Sequence, residues 1–149
     1  MNNLFQQGAY QEMIGRLNAL TPQSQRNWGK MDVAQMLAHC SAAFEVANGE
    51  RQLKRGVMGY LFGGMMKKKY VYGTVYSKND PTDPTFKITD TRKFEEEKNR
   101  LKGHIEKFYQ SGEKGTGYKT HSFFGKMNAT EWAQLMYNHL NHHFSQFNG

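Results

Sequence analysis

Cysteine is almost absent from this chain. Cys40 stands alone, so no intrachain disulfide can form. That fits a reducing compartment, and a cytoplasmic location is the expectation. Long apolar runs are absent too: none approaches the roughly 18 residues that a membrane-spanning helix needs. The opening stretch MNNLFQQGAY lacks a basic start followed by an apolar run, so no signal peptide is expected. Proline is scarce, and Pro22, Pro81 and Pro84 all fall between segments of regular apolar spacing. Neither an internal repeat nor a convincing boundary divides the 149 residues, so one domain, 1–149, is expected.

What is present is core material: 10 Phe, 8 Tyr and 9 Met, enough to fill a real core in a chain of polar average character. The formal net charge of +7 permits contact with anionic partners without identifying one.

Four helices follow from the apolar spacing. The first spans about Leu4 to Leu20, where Tyr10, Met13, Ile14 and Leu17 recur at helical intervals and Thr21-Pro22 ends the pattern. The linker PQSQRNWGK carries Trp28, a large ring expected to fold back onto the helices. The second helix opens at Asp32, where Asp32-Val33-Ala34-Gln35 forms a capping box flanked by Met31 and Met36. Its stripe is Val33, Met36, Leu37, Cys40, Phe44 and Ala47, and it ends near Asn48-Gly49. The third spans about Thr91 to Tyr109, with Phe94, Leu101, Ile105 and Phe108 on one side, Lys98 interrupting, and Ser111-Gly112 as the stop. Its EEEK run reads as a solvated face, and His104 as a surface or flank residue. The fourth is NATEWAQLMYNHLNHHFSQF, Asn128 to Phe147, capped by Asn128 with Glu131 three residues on.

Residues 50–87 are less regular. In GVMGYLFGGMM, Val57, Met58, Leu61, Phe62, Met65 and Met66 share one helical face and the glycines the other. Glycine is a poor helix former, so a short, weak helix is expected, laid as a lid over an open end of the core. The competing reading is docking on a membrane surface, because Arg51, Lys54, Arg55 and Lys67-Lys68-Lys69 flank the apolar face. KKKYVYGTVY suits an extended segment packed on the helices, or more weakly a single-stranded nucleic-acid groove.

The histidines carry the chemistry. Wound at about 100° per residue, His139 and His143 fall within about 20° of Trp132, at the middle of the last helix's apolar stripe. Four residues apart, their rings can converge on one ion. Imidazoles there are costly unless a metal, a carboxylate, a hydroxyl or a buried water satisfies them. The zinc-protease pattern is not present, because Leu140 stands where its Glu would be, so a third ligand must come from elsewhere. His142 lies about 80° away, at the edge of the stripe. His39 lies about 120° from the middle of its own stripe, the position of a flank histidine half exposed to water, although a bundle helix touches two neighbours and a flank position can still face the interior from the side. His121 is a loop histidine or a second candidate ligand. No Asp or Glu accompanies these histidines, so no general base is identified.

Trp28 through His39 (WGKMDVAQMLAHC) and His139 through Gln146 (HLNHHFSQ) resemble the DinB/YfiT-like metalloenzyme superfamily. There, a tryptophan-containing approach precedes a helix-borne histidine, and a C-terminal helix supplies His-x-x-x-His. The resemblance is strongest to an uncharacterised bacterial branch in which WGKM, FFGK and HHxxQF recur, as at Trp28–Met31, Phe123–Lys126 and His142–Phe147. One departure is that His121 is followed by Ser122 where the branch has His-Pro. The resemblance implies an all-α four-helix bundle with a long, partly irregular connection between helices two and three. It implies a metal site of His39, His139 and His143, holding one divalent ion (Zn²⁺, Ni²⁺ or Fe²⁺). It further implies a thiol-dependent S-transferase or a hydrolase acting on a small molecule, with a low-molecular-weight thiol as co-substrate and a homodimer as the assembly. The competing classes are a non-catalytic binding bundle and a basic protein associated with membrane or nucleic acid.

Overall fold

Two capping boxes set the two helices that matter most. Asp32 accepts the amide of Gln35 while the Gln35 side chain returns to the Asp32 amide, and Asn128 and Glu131 do the same for the last helix. Each arrangement satisfies helix-end donors that otherwise lack partners. The computed structural model describes residues 1–73, 76–116 and 120–149. Its elements are α1 (Gln7–Ala19), α2 (Val33–Ala47), α3 (Val57–Tyr70), a 3-10 turn (Pro84–Phe86), α4 (Phe94–Gly115), β1 (Thr120–His121), β2 (Gly125–Lys126) and α5 (Ala129–Gln146). The fold is all-α apart from the two-residue antiparallel ladder of β1 and β2. No helix among the described residues is long and apolar enough to cross a membrane.

Helix α2 is the central one. It packs on α4 and α5, while α1 packs on both of those helices as well. Its small residues Ala34, Ala38, Ala42 and Ala47 are buried along with Met36, Leu37 and Phe44, so it is covered on more than one side. Aromatic pairs join the other layers: Phe5 stacks on Phe108 at 5.3 Å and Tyr10 on Tyr109 at 4.1 Å. Lys98, which interrupts the apolar face of α4, donates to the carbonyls of Asn18 and Leu20 at 3.1 and 2.9 Å. It thereby serves the C-terminal end of α1, where carbonyls are left without helical partners.

Three expectations need correction. The segment expected to be a short, weak helix is the 14-residue α3, and it is turned the other way round. Its buried residues are Gly59 and Gly63, whereas Val57, Met58, Tyr60, Leu61 and Met65 are 59–73% exposed. The glycines win the inward position because the surface they meet is backbone: a Cβ on Gly63 would lie 2.1 Å from the carbonyl oxygen of Phe123. The apolar side therefore covers no open end of the core. Second, KKKYVYGTVY is not extended throughout: Lys67–Tyr70 is the last turn of α3, and its Thr74 and Val75 lie outside the described residues. Third, Glu97 of the EEEK run is buried and paired with Arg92 and Arg100, while Glu95 and Glu96 are exposed as expected. The expected stop at Ser111-Gly112 is where helical geometry does break: Gly112, at φ 59°, is non-helical, and only a further short turn runs on to Gly115.

Candidate metal centre

His39, on α2, is brought to face α5 across the helix packing and is only 4% exposed. Of the two positions open to it, a flank half exposed to water and a flank turned inward toward a second neighbour, it takes the second. Because α2 is covered by α4 and α5 together, the flank is an interior position. His143 is 8% exposed, and His139 is half-buried. One ring nitrogen from each of the three lies within 4.8 Å of the others. The rings pack at centroid separations of 5.0 Å (His39–His139), 4.6 Å (His39–His143) and 4.6 Å (His139–His143).

Hydrogen bonding fixes which nitrogens are available. His39 Nδ1 lies 2.8 Å from the carbonyl oxygen of Phe86, at the end of the 3-10 turn. A carbonyl only accepts, so Nδ1 carries the proton and Nε2 is a bare lone pair. His143 Nδ1 lies 3.0 Å from Gln146 Oε1. The Gln146 amide is oriented in turn, because its Nε2 donates to the carbonyl of Trp28 at 2.7 Å. Hence His143 also carries its proton on Nδ1 and presents Nε2. The Nε2 atoms of His39 and His139 are 3.0 Å apart, and His139 Nδ1 is buried with no hydrogen-bond partner among the described residues.

Burial pushes the pKa values of His39, His139 and His143 below the ordinary imidazole value, and the neighbouring histidines push His139 and His143 further in the same direction. Neutral imidazoles are the form that ligates a metal. Around a tetrahedral ion with bonds of 2.0–2.1 Å, ligand nitrogens sit about 3.3 Å apart. The three histidines could therefore hold one metal ion with small movements, and two of them already have the outer partners that metal-bound histidines use.

The remaining candidates fall outside this cluster. His142 is half-buried, 5.0 Å from the His143 ring and flanked by Trp28 at 5.7 Å and Tyr76 at 5.3 Å. Trp28 does fold back, as its contacts with Gln146 and His142 show. His121 Nδ1 accepts the amides of Phe123 and Phe124 at 3.0 and 3.1 Å, and its ring stacks on Phe124 at 4.3 Å. It fixes the turn between β1 and β2 and is not one of the clustered histidines. Cys40 is fully buried, and burial pushes its thiol pKa up, so it stays a protonated core residue. Gln146 and the Phe86 carbonyl are the functional groups that sequence reasoning missed. The Gln146 signal was present, since it lies three residues from His143 on the same helix face. The Phe86 carbonyl had no signal in the sequence.

A family model described as "Protein of unknown function (DUF1569)" matches residues 4–149. No curated protein and no solved structure matches the chain.

Proposed function

Since the chain belongs to that family of unknown function, whose description assigns no activity, its side chains must supply the reading, and we propose a divalent-metal centre of His39, His139 and His143 serving a small-molecule transferase or hydrolase. The observation that carries this is the convergence of one nitrogen from each ring, with the Nδ1 atoms of His39 and His143 tied to acceptors so that each of these two rings keeps its lone pair on Nε2. Three neutral imidazoles leave one coordination position open, which suits Zn²⁺, Ni²⁺ or Fe²⁺. When bound, such an ion supplies Lewis acidity, lowering the pKa of a small nucleophile such as water or a thiol toward neutrality. In this reading His39 and His143 are held rigidly by Phe86 and Gln146. The resemblance to DinB/YfiT-like proteins supports a four-helix arrangement of α1, α2, α4 and α5, a thiol co-substrate, a homodimer and a cytoplasmic setting.

A second reading, a non-catalytic metal-binding module, is favoured by one observation. Among the described residues, no acidic side chain is hydrogen-bonded to or ion-paired with any of the three histidines.

The test is elemental analysis of protein purified without a histidine tag, followed by a panel pairing low-molecular-weight thiols with halogenated aromatics and epoxides. The expected result is about one equivalent of divalent metal, lost in His139→Ala/His143→Ala, and slow turnover that depends on it. Equal metal content in wild type and double mutant overturns the site. A loaded protein inert to thiol and hydrolytic substrates leaves the second reading.

A further inference from the structure

The exposed face of α3 and the distribution of charge point to the same partner. Residues 51–79 contain seven bases and not one of the 13 acidic residues, so the other 13 Lys and Arg equal the acids and the chain's whole +7 resides in this one segment. The same segment carries the outward apolar row of Val57, Met58, Tyr60, Leu61 and Met65, with Phe62 beside it. Lys67 and Lys69 are engaged with Glu131 and Asp80, at 2.8 and 2.9 Å, and Arg51 pairs with Glu45. Among the described residues, Lys54 and Lys68 are exposed and have no acidic partner, whereas Arg55 donates to the Gly59 carbonyl at 3.3 Å and lies over the Tyr60 ring at 4.2 Å.

The orientation is built in. Gly59 and Gly63 sit against the backbone of Ser122 and Phe123, so α3 cannot roll its apolar side inward without driving side chains into those carbonyls. A row of large apolar side chains held outward and bordered by unpaired cations is the arrangement of a helix lying in a lipid interface. A second copy of the chain is disfavoured by charge, because an isologous contact through α3 would set two such basic segments face to face. We propose that the outer face of α3 docks on an anionic lipid surface, its apolar row entering the acyl boundary and Lys54 and Lys68 meeting headgroup phosphates.

The proposal is independent of the metal centre and is tested on the full chain. Vesicles of phosphatidylcholine, alone or with phosphatidylglycerol, are floated with wild type, Leu61→Glu/Met65→Glu and Lys54→Gln/Lys68→Gln. These residues project outward, so the variants keep the wild-type circular dichroism spectrum. The expected result is binding to the phosphatidylglycerol vesicles alone, weakened by salt, lost in the first variant and reduced on the order of fivefold per base in the second. Equal binding to both vesicle types, or none to either, overturns the proposal. So does a concentration-dependent dimer that Leu61→Glu/Met65→Glu dissociates while vesicle binding is absent, which assigns the face to a second copy.

Discussion

The Gln146 side chain joins two parts of the molecule that sequence separates by more than a hundred residues. It accepts from His143 and donates to the Trp28 carbonyl, so one amide fixes both a ring tautomer and the path of the α1–α2 linker. Removing such an outer partner typically costs 10- to 100-fold in metal affinity. Gln146→Leu should weaken Zn²⁺ binding by that amount in a competition titration with a chromophoric chelator, and unchanged affinity would show that the bond does not hold His143 for a ligand. His121 offers a separate measurement. Burial lowers its pKa to about 4, and its Nδ1 lone pair is already committed to two backbone amides. The unfolded chain takes up that proton near the ordinary value of about 6.5 while the folded chain does not, so stability is complete above about 6.5 and declines as pH falls toward 4. The other buried histidines act in the same direction, so His121's own share, about 3 kcal/mol over that window, is read as the difference between the urea midpoints of wild type and His121→Asn. His121→Asn should lack this part of the pH dependence. His139 and His143 were legible in the sequence because four-residue spacing on a helix is local geometry. The work of His121 was not, since it depends on backbone amides whose direction only the turn defines.

At the scale of elements, α2 and α5 were legible in nearly every respect, down to both capping boxes, because caps are read within four residues. The facing side of α2 was not, because a single apolar stripe describes a helix with one covered side and α2 has more than one. Helix α3 departs from its apolar pattern for a related reason. Apolar character alone points its large side chains to the interior, yet what decides its orientation is the close approach of two glycines to the 122–124 backbone. This gives two substitutions of opposite sign on one helix. Gly63→Ala puts a methyl group 2.1 Å from the Phe123 carbonyl oxygen and should cost about 1–3 kcal/mol. Gly64→Ala meets nothing within 4 Å and should gain roughly 0.5–1 kcal/mol from helix propensity alone. Thermal melts of the two variants and wild type should bracket the parent, and any other order would show that α3 does not rest on Gly63.

For the molecule as a whole, the centre joins α2 to α5, so an ion bound there would stabilise the folded state over the unfolded one. At a hundredfold excess over Kd the expected gain is about 2.7 kcal/mol. Added Zn²⁺ should therefore raise the Tm of wild type and leave His139→Ala/His143→Ala unmoved, whereas an equal rise in both would place the ion elsewhere. The all-α class was readable from apolar period and turn residues across the chain. The meeting of His39 with the C-terminal pair was not readable from period alone, since it depends on two helices a hundred residues apart choosing each other's faces.

The grip of α3 on its neighbour uses glycine and backbone, and the row of residues that it turns outward takes almost no part in that grip. Folding and address are therefore written in different letters of the same helix. Positions 57, 58, 60, 61 and 65 can be rewritten as a cassette, changing what the surface adheres to while Gly59 and Gly63 keep the helix seated and the histidines, held by α2 and α5, undisturbed.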